Sequence, residues 1–389
     1  MTAERPEVVY IPGDGIGPEV MPAAIEAIET AVRGAYGGAR AIRWTEAAAG
    51  KRAMDEAGSP LPEATLDAIR RARVALKGPL ETPVGGGIRS LNVALRKILD
   101  LYACVRPVRY FPGVPSPLKN PERVNVVIFR ENTEDVYAGY EWQEGTPEAL
   151  RVIRFLNDEM GCEIPEDSGV GIKPMSVTGS KRLVRMAIYH ALEQGRRVVT
   201  LVHKGNIMKY TEGAFRRWGY EVAAQEFAEK TVVEAELGDG GPPPGSVVVN
   251  DRIADAMFQE LILRPEHYEV LALSNLNGDY MSDAAAALVG GLGLAPGANI
   301  GDEYAVFEAT HGTAPDIAGQ GRANPGSLIL SGAMLLRHLG WAEAADRLEA
   351  AVARVLAAKR FTPDLAAQVE GAERLSTEAF GRAVAAEAA

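Results

Sequence analysis

Short apolar runs alternate with longer segments of mixed polarity along this chain. Residues 8–11, 73–76, 105–110, 125–129, 198–202, 268–274 and 304–308 are short, apolar and rich in β-branched side chains, which predicts strands. Residues 19–31, 61–73, 181–194, 212–218, 251–263, 280–288, 328–339 and 343–358 carry helical patterns. Strands alternating with helices predict an α/β architecture. Residues 135–176 read differently: they are polar and acidic and are interrupted by Gly161, Pro165, Gly169 and Gly171. This stretch is read as an insertion or arm, a candidate for pairing subunits. Residues 238–245 form a turn-rich loop with three consecutive prolines.

Two glycine-rich turns stand out. The first, Pro12-Gly13-Asp14-Gly15-Ile16-Gly17-Pro18, follows the first strand and precedes a helix, as a dinucleotide-binding turn would. Its spacing is G-x-G-x-G followed by proline rather than G-x-G-x-x-G, which favours a structural turn over a cofactor-lining loop. The second is Gly85-Gly86-Gly87-Ile88-Arg89-Ser90-Leu91-Asn92-Val93-Ala94-Leu95-Arg96. Ser90 sits where a helix cap belongs, before an apolar periodic run expected to stay helical to about residue 103. Asn92 and Arg96 share a helix face. A helix start, with its free N–H groups, favours an anion. Arg106 and Arg130 follow within about one lobe's worth of sequence. Arginine suits planar, bidentate carboxylate recognition, so the cluster predicts a site for a small molecule with several carboxylates.

The 389-residue length suggests two or three lobes. A formal net charge of −11 argues against nucleic acid or an acidic membrane surface as partner. It also requires a local basic pocket for any anionic substrate. Two cysteines, Cys104 and Cys162, are too few for a disulfide framework or a structural zinc site, and fit a reducing cytoplasm. Neither a signal-peptide core nor a long apolar run is visible, so no export or membrane segment is expected.

Asp251 and Asp255 are four apart on one predicted helix, and Asp279 and Asp283 four apart at the next. Asp279 follows Asn275-Leu276-Asn277-Gly278 at the end of an apolar strand, where ligand sites in α/β sheets gather. Oxygen-only ligands imply Mg²⁺ or Mn²⁺. Tyr137 and Lys204, the latter between His203 and Gly205 at a strand end, are proton-transfer candidates. The Gly- and Pro-rich loop from His311 to Ser327 offers Asp316 as a hydrogen-bond acceptor for ribose hydroxyls.

The motifs at 78–79, 85–96, 106–110, 129–137, 202–209, 275–283 and 308–319 together resemble those of bacterial isocitrate dehydrogenases, among the β-decarboxylating dehydrogenases. Relatives acting on isopropylmalate or homoisocitrate share the chemistry, but Ser90-Leu91-Asn92 resembles the isocitrate branch. The resemblance implies the non-Rossmann α/β fold of that family. Residues 1–101 and 290–389 would form a large domain, 102–134 and 177–289 a small domain, and 135–176 a clasp.

It further implies that Ser90, Asn92, Arg96, Arg106 and Arg130 bind isocitrate and that Tyr137 and Lys204 are the acid–base pair. Asp279 and Asp283, with Asp255 from a partner chain, would bind Mg²⁺ or Mn²⁺, and Lys204 would likewise be donated across a homodimer. Lys77, Thr82, Glu308, His311, Gly312, Asp316, Ile317, Ala323 and Asn324 would line the coenzyme site. NADP-using bacterial members carry Lys-Tyr at Asp316-Ile317, valine at Ala323, and tyrosine and arginine at Pro363 and Ala367. The replacements predict NAD as coenzyme, with Arg322 the one residue that keeps NADP open.

Overall fold

The computed structural model describes residues 5–81, 90–237 and 241–389. The glycines at 85–87, with Thr82 and Arg89, lie outside the described residues. The chain opens with β1 (Glu7–Ile11), α1 (Gly17–Tyr36), β2 (Arg43–Glu46), α2 (Lys51–Ala57), α3 (Glu63–Ala72) and β3 (Val74–Lys77). After α4 (Leu91–Ile98) come β4 (Ala103–Arg109) and β5 (Asn125–Glu131). An arm follows, in which β6 (Glu141–Trp142) pairs with β7 (Val170–Gly171) on either side of α5 (Pro147–Met160). Next are α6 (Val177–Glu193), β8 (Val198–His203), α7 (Glu212–Glu226), β9 (Thr231–Val233), β10 (Val247–Ile253), α8 (Ala254–Leu263), β11 (Val270–Leu273) and α9 (Asn275–Ala287). The chain closes through β12 (Pro296–Ile300), β13 (Ala305–Ala309), α10 (Gly326–His338), α11 (Ala342–Ala357), β14 (Arg360–Phe361), α12 (Pro363–Ala366), β15 (Glu373–Arg374) and α13 (Thr377–Ala388).

Among the described residues one mixed sheet of 11 strands runs through the molecule in the order β2-β1-β3-β13-β12-β4-β5-β11-β8-β10-β9. Its flanks are parallel, and its centre, β13-β12-β4-β5, is antiparallel. That centre separates this α/β fold from an all-parallel dinucleotide-binding sheet. Strands from both ends of the chain lie on one flank and strands from its middle on the other. Helix α10 is buried over nearly its whole first three turns, which is why apolar or small side chains fill residues 328–336. Helix α1 buries one stripe, including Val20, Ala24, Ala27, Ile28 and Ala31, against α10, α11 and α13. Among the described residues no helix is long and apolar enough to cross a membrane.

The turn at 12–18 is a buttress. Gly13 and Gly15 have φ of 82° and 58°, and a Cβ on them would lie 2.2 Å from the Pro79 oxygen and 2.0 Å from the Thr313 oxygen. The Asp14 amide donates to the Pro79 carbonyl at 2.7 Å and the Ile16 amide to the Thr313 carbonyl at 2.9 Å. The turn thus ties together two loops that border the functional cleft.

The structure departs from the sequence pattern at several points. Residues 247–253 are a strand rather than the start of a helix, because Val247-Val248-Val249 pairs with β8 and β9. Asp251 therefore lies on β10, held by Tyr220 at 2.6 Å, Arg216 at 2.9 Å and His203 at 3.0 Å, while Asp255 lies on α8. Helix α9 begins at Asn275, five residues earlier than the pattern suggests. Asn and Gly are poor helix formers, but tertiary bonds override propensity here. The Asn275 amide donates to the Glu134 carbonyl at 3.1 Å, and the Leu276 amide to Asp135 at 3.0 Å. Helix α4 ends at Ile98, short of 103, since Asp100 adopts a φ of 45° and the chain turns into β4. The arm holds a 14-residue helix capped by Thr146, where the sequence suggested only an irregular insertion.

Candidate functional site

Lys77, at the end of β3, is in register with Glu308 on β13. Both are buried, and Lys77 Nζ lies 2.8 Å from Glu308 Oε2. Arg96, in the last turn of α4, reaches the other oxygen of the same carboxylate at 3.1 Å. Burial works to raise the Glu308 carboxyl, but Lys77 and Arg96 outweigh it and hold it far below the ordinary glutamate value. Glu308 is thus an anion shared by two buried cations.

Arg106 and Arg130 come from the antiparallel centre of the sheet. Arg106 Nη1 donates to Ser282 Oγ at 2.5 Å and to Asp283 Oδ1 at 3.1 Å, and lies 3.7 Å from Asp279. Arg130 donates through Nε to Asn275 Oδ1 at 2.9 Å and through Nη1 to Asp279. A Cβ on Gly278 would lie 2.6 Å from that of Arg130, so only glycine lets α9 pass this close. The Arg130 guanidinium sits 4.8 Å from the centre of the Tyr137 ring. Burial, together with Arg96 and Arg106, pulls Arg130 below its ordinary pKa, the mark of a site short of negative charge.

Tyr137 Oη donates to the second oxygen of Asp279. Burial, reinforced by that bond, pushes the Tyr137 hydroxyl up to about 12, so it keeps its proton at neutral pH. Burial works to raise Asp279, but Arg130, the Tyr137 hydroxyl and Arg106 prevail and hold it below the usual aspartate range. Asp283, one turn on, is pushed up by burial against the pull of Arg106.

These groups line one cleft of about 360 Å³. Ser90, Asn92, Arg96, Arg106, Arg130, Tyr137 and Asp279 face it together with Lys77, Glu308, His311 and Gly312. Arg106 Nε, Arg130 Nη2, Asn92 Oδ1 and His311 Nε2 are buried without a hydrogen-bond partner. Two buried guanidinium donors left unmatched at the cleft are suited to a bound anion. Ser90 holds the N-cap position of α4, but its side chain does not close a bond to that helix. Burial keeps His311 below its ordinary pKa and therefore neutral at pH 7.

Other expected site residues lie elsewhere. Lys204 and Asp255 do not line this cleft; they form an ion pair with each other at 2.5 Å. Asp316 and Ile317 are on a short 3-10 turn in the loop after β13, with Asp316 exposed to solvent. Ala323 and Asn324 are buried at the base of that loop. Asn324 is already engaged, donating to Asp364 at 3.0 Å and accepting from the Gly326 amide at 2.9 Å. Thr82 lies outside the described residues. Sequence reasoning missed Asn275 and Asn299, which orient Arg130 and Arg96; the signal was an asparagine at an otherwise buried position.

Asp279 and Asp283 form an all-oxygen donor pair suited to a hard cation. Among the described residues no group of three or more histidine, cysteine, aspartate or glutamate side chains is placed to hold a metal ion. The oxygen-only chemistry of the pair fits a hard cation such as Mg²⁺ or Mn²⁺.

Residues 7–384 match the family model described as isocitrate/isopropylmalate dehydrogenase. A relative from Archaeoglobus fulgidus is 55% identical over 384 residues, covering 98% of this chain and 92% of its own. One from Pseudomonas aeruginosa is 55% identical over 394 residues, covering 98% and 93%. Both are named isocitrate dehydrogenase with NADP as coenzyme. The crystal structure of isocitrate dehydrogenase from Methylococcus capsulatus superposes with a TM-score of 0.82 at 39% identity, covering 98% of this chain and 99% of that one. The NADP names overturn the expectation of NAD. The expectation leaned on the charge of Asp316, which is exposed to water and so screened, and the loop also carries the exposed, oppositely charged Arg322. By the family match and by this identity over nearly its whole length, the chain belongs to the isocitrate/isopropylmalate dehydrogenase family.

Proposed function

We propose that this protein catalyses the oxidative decarboxylation of isocitrate to 2-oxoglutarate and CO₂, with NADP⁺ as hydride acceptor and a divalent cation. The observation that carries the reading is the convergence of Arg96, Arg106 and Arg130 with Tyr137 and Asp279 on one small cleft. Three buried guanidiniums match the three carboxylates of the substrate, with Ser90 and Asn92 as neutral partners.

Asp279 and Asp283, with Asp255 of the partner subunit, would hold Mg²⁺ or Mn²⁺, which polarises the 2-hydroxyl and its neighbouring carboxylate. Lys204 of the partner subunit would take the hydroxyl proton, and the coenzyme, when bound, would supply the acceptor for the C2 hydride. Lys77, Glu308, His311 and Gly312 border the coenzyme side of the cleft, and Arg322 is the candidate cation for the 2′-phosphate. The C3 carboxylate then departs as CO₂, its bonding pair passing into the 2-oxo group. Tyr137, aligned by Asp279, returns a proton to C3. Arg96, Arg106 and Arg130 hold the remaining charge still throughout.

The pairing of two chains is part of the proposal. Lys204 and Asp255 stand apart from the cleft, near a surface that carries Ile207, Tyr210, Ile262, Leu263 and Tyr280 exposed, with Tyr210 at 90%. Phe155 and Met160 on the arm are also exposed. A homodimer would cover both sets and complete each cleft.

The test is NADPH formation from isocitrate and NADP⁺ with Mg²⁺ or Mn²⁺, with and without chelator, alongside isopropylmalate and homoisocitrate. Chelator-sensitive reduction with isocitrate supports the reading. No reduction, or faster reduction with another acid, overturns it.

A further inference from the structure

Asn299 lies on β12, between Cys104 of β4 and Val306 of β13 in the antiparallel centre of the sheet. Its side chain is 2% exposed and does not reach the cleft itself. A buried amide in a strand costs free energy unless all its hydrogen-bonding capacity is used. Here it is. The oxygen accepts from Arg96 Nε at 3.1 Å and from Asn132 Nδ2 at 2.9 Å. The nitrogen donates to Glu308 Oε1 at 2.7 Å and to the Val306 carbonyl at 3.4 Å. Flipping the amide would set its N–H groups against two donors and its oxygen against a carboxylate, so the network fixes one orientation.

Arg96 and Glu308 also touch each other and both line the cleft. Arg96 belongs to the substrate-carboxylate side, and Glu308, through Lys77, to the coenzyme side. We propose that Asn299 is a positioning residue that locks Arg96 and Glu308 into one geometry and so couples isocitrate binding to coenzyme binding. This rests on the function proposed above. Misplacing a binding group by about 1 Å can cost roughly 10²-fold, so a residue that never touches a ligand can still set affinity.

Asparagine is suited to this task because its two ends differ. Asn299→Asp would still accept from Arg96 and Asn132 but would present an oxygen to Glu308, pushing that carboxylate away. Asn299→Ala would remove the contacts to both.

The experiment measures kcat and KM for isocitrate and NADP⁺ in the purified wild-type enzyme, Asn299→Asp and Asn299→Ala, with melting temperatures. The expected result is a rise of at least about 10-fold in both KM values in each variant, with kcat within about 5-fold of wild type. A purely structural residue would lower the melting temperature and the active fraction while leaving both KM values in place. Both KM values within about 2-fold of wild type in Asn299→Ala, or a rise in only one of them, overturns the proposal. If Asn299→Asp does not fold, Asn299→Ala still decides it. A wild-type enzyme without isocitrate-dependent NADP⁺ reduction would instead remove the function on which the inference rests.

Discussion

Replacing Tyr137 with phenylalanine removes one oxygen and leaves the ring. The cation–ring contact with Arg130, at 4.8 Å, survives, and so does the packing. Asp279 loses one donor but keeps Arg130 and Arg106, so no buried charge is stranded. The stability cost should therefore stay at about 1.5 kcal/mol, at the low end for a hydrogen bond to a charged group. The catalytic cost is much larger. A hydroxyl held at a pKa of about 12 by burial and by Asp279 is a positioned proton donor. Losing such a donor costs about 10²- to 10⁴-fold in rate, or roughly 3–5 kcal/mol of barrier. The three arginines are untouched, so KM for isocitrate should move by less than about 3-fold. Steady-state kinetics of Tyr137→Phe, with circular dichroism to check folding, separates these effects. A kcat within about 3-fold of wild type would refute the assignment. A raised KM at unchanged kcat would recast Tyr137 as a binding residue.

Arg106→Ala should instead raise KM for isocitrate by about 10- to 150-fold, the worth of a charge-assisted hydrogen bond, and lower kcat less; a change confined to kcat would argue against a binding role. Lys204→Met and Tyr137→Phe should each be nearly inactive, yet unfolding and refolding them together should restore about a quarter of wild-type activity. Random pairing makes half the dimers mixed, and each mixed dimer has one intact cleft; no recovery would mean that sites are not shared. His190, stacked near Phe129 at 5.1 Å, has its pKa lowered to about 4 from 6.5 by burial and by Arg196. The unfolded chain takes up this proton first, so the folded state loses stability as pH falls from about 6.5 towards 4, by on the order of 2 kcal/mol at pH 5. Urea unfolding at about pH 7.5 and pH 5 should show that loss in wild type and less of it in His190→Gln; equal losses would contradict it.

The parts of the molecule that were readable from sequence are those set by local pattern. The runs at 8–11, 198–202 and 304–308 fall on β1, β8 and β13, and the helical pattern at 328–339 falls on the buried α10. The spacing of Asn92 and Arg96 places them on one face of α4, and both reach the cleft. What was not readable depends on distant partners. Nothing local tells that Asn275 starts a helix, because Glu134 and Asp135, far away in sequence, supply the bonds that hold it. Asp251 looked like a helical neighbour of Asp255 until β8 and β9 claimed its strand. Asn324 carries no local sign that Asp364 will occupy it. The coenzyme expectation failed for a related reason: residue identities in the loop were weighed as charges, without the exposure that screens Asp316.

The most direct test of the central claim is a crystal structure with isocitrate and Mg²⁺ bound. The account predicts the three substrate carboxylates against Arg96, Arg106 and Arg130, the ion on Asp279 and Asp283, and Lys204 of a second chain within reach of the 2-hydroxyl. Isocitrate bound outside this cleft, or arginines and aspartates left facing one another with the ligand elsewhere, would contradict it.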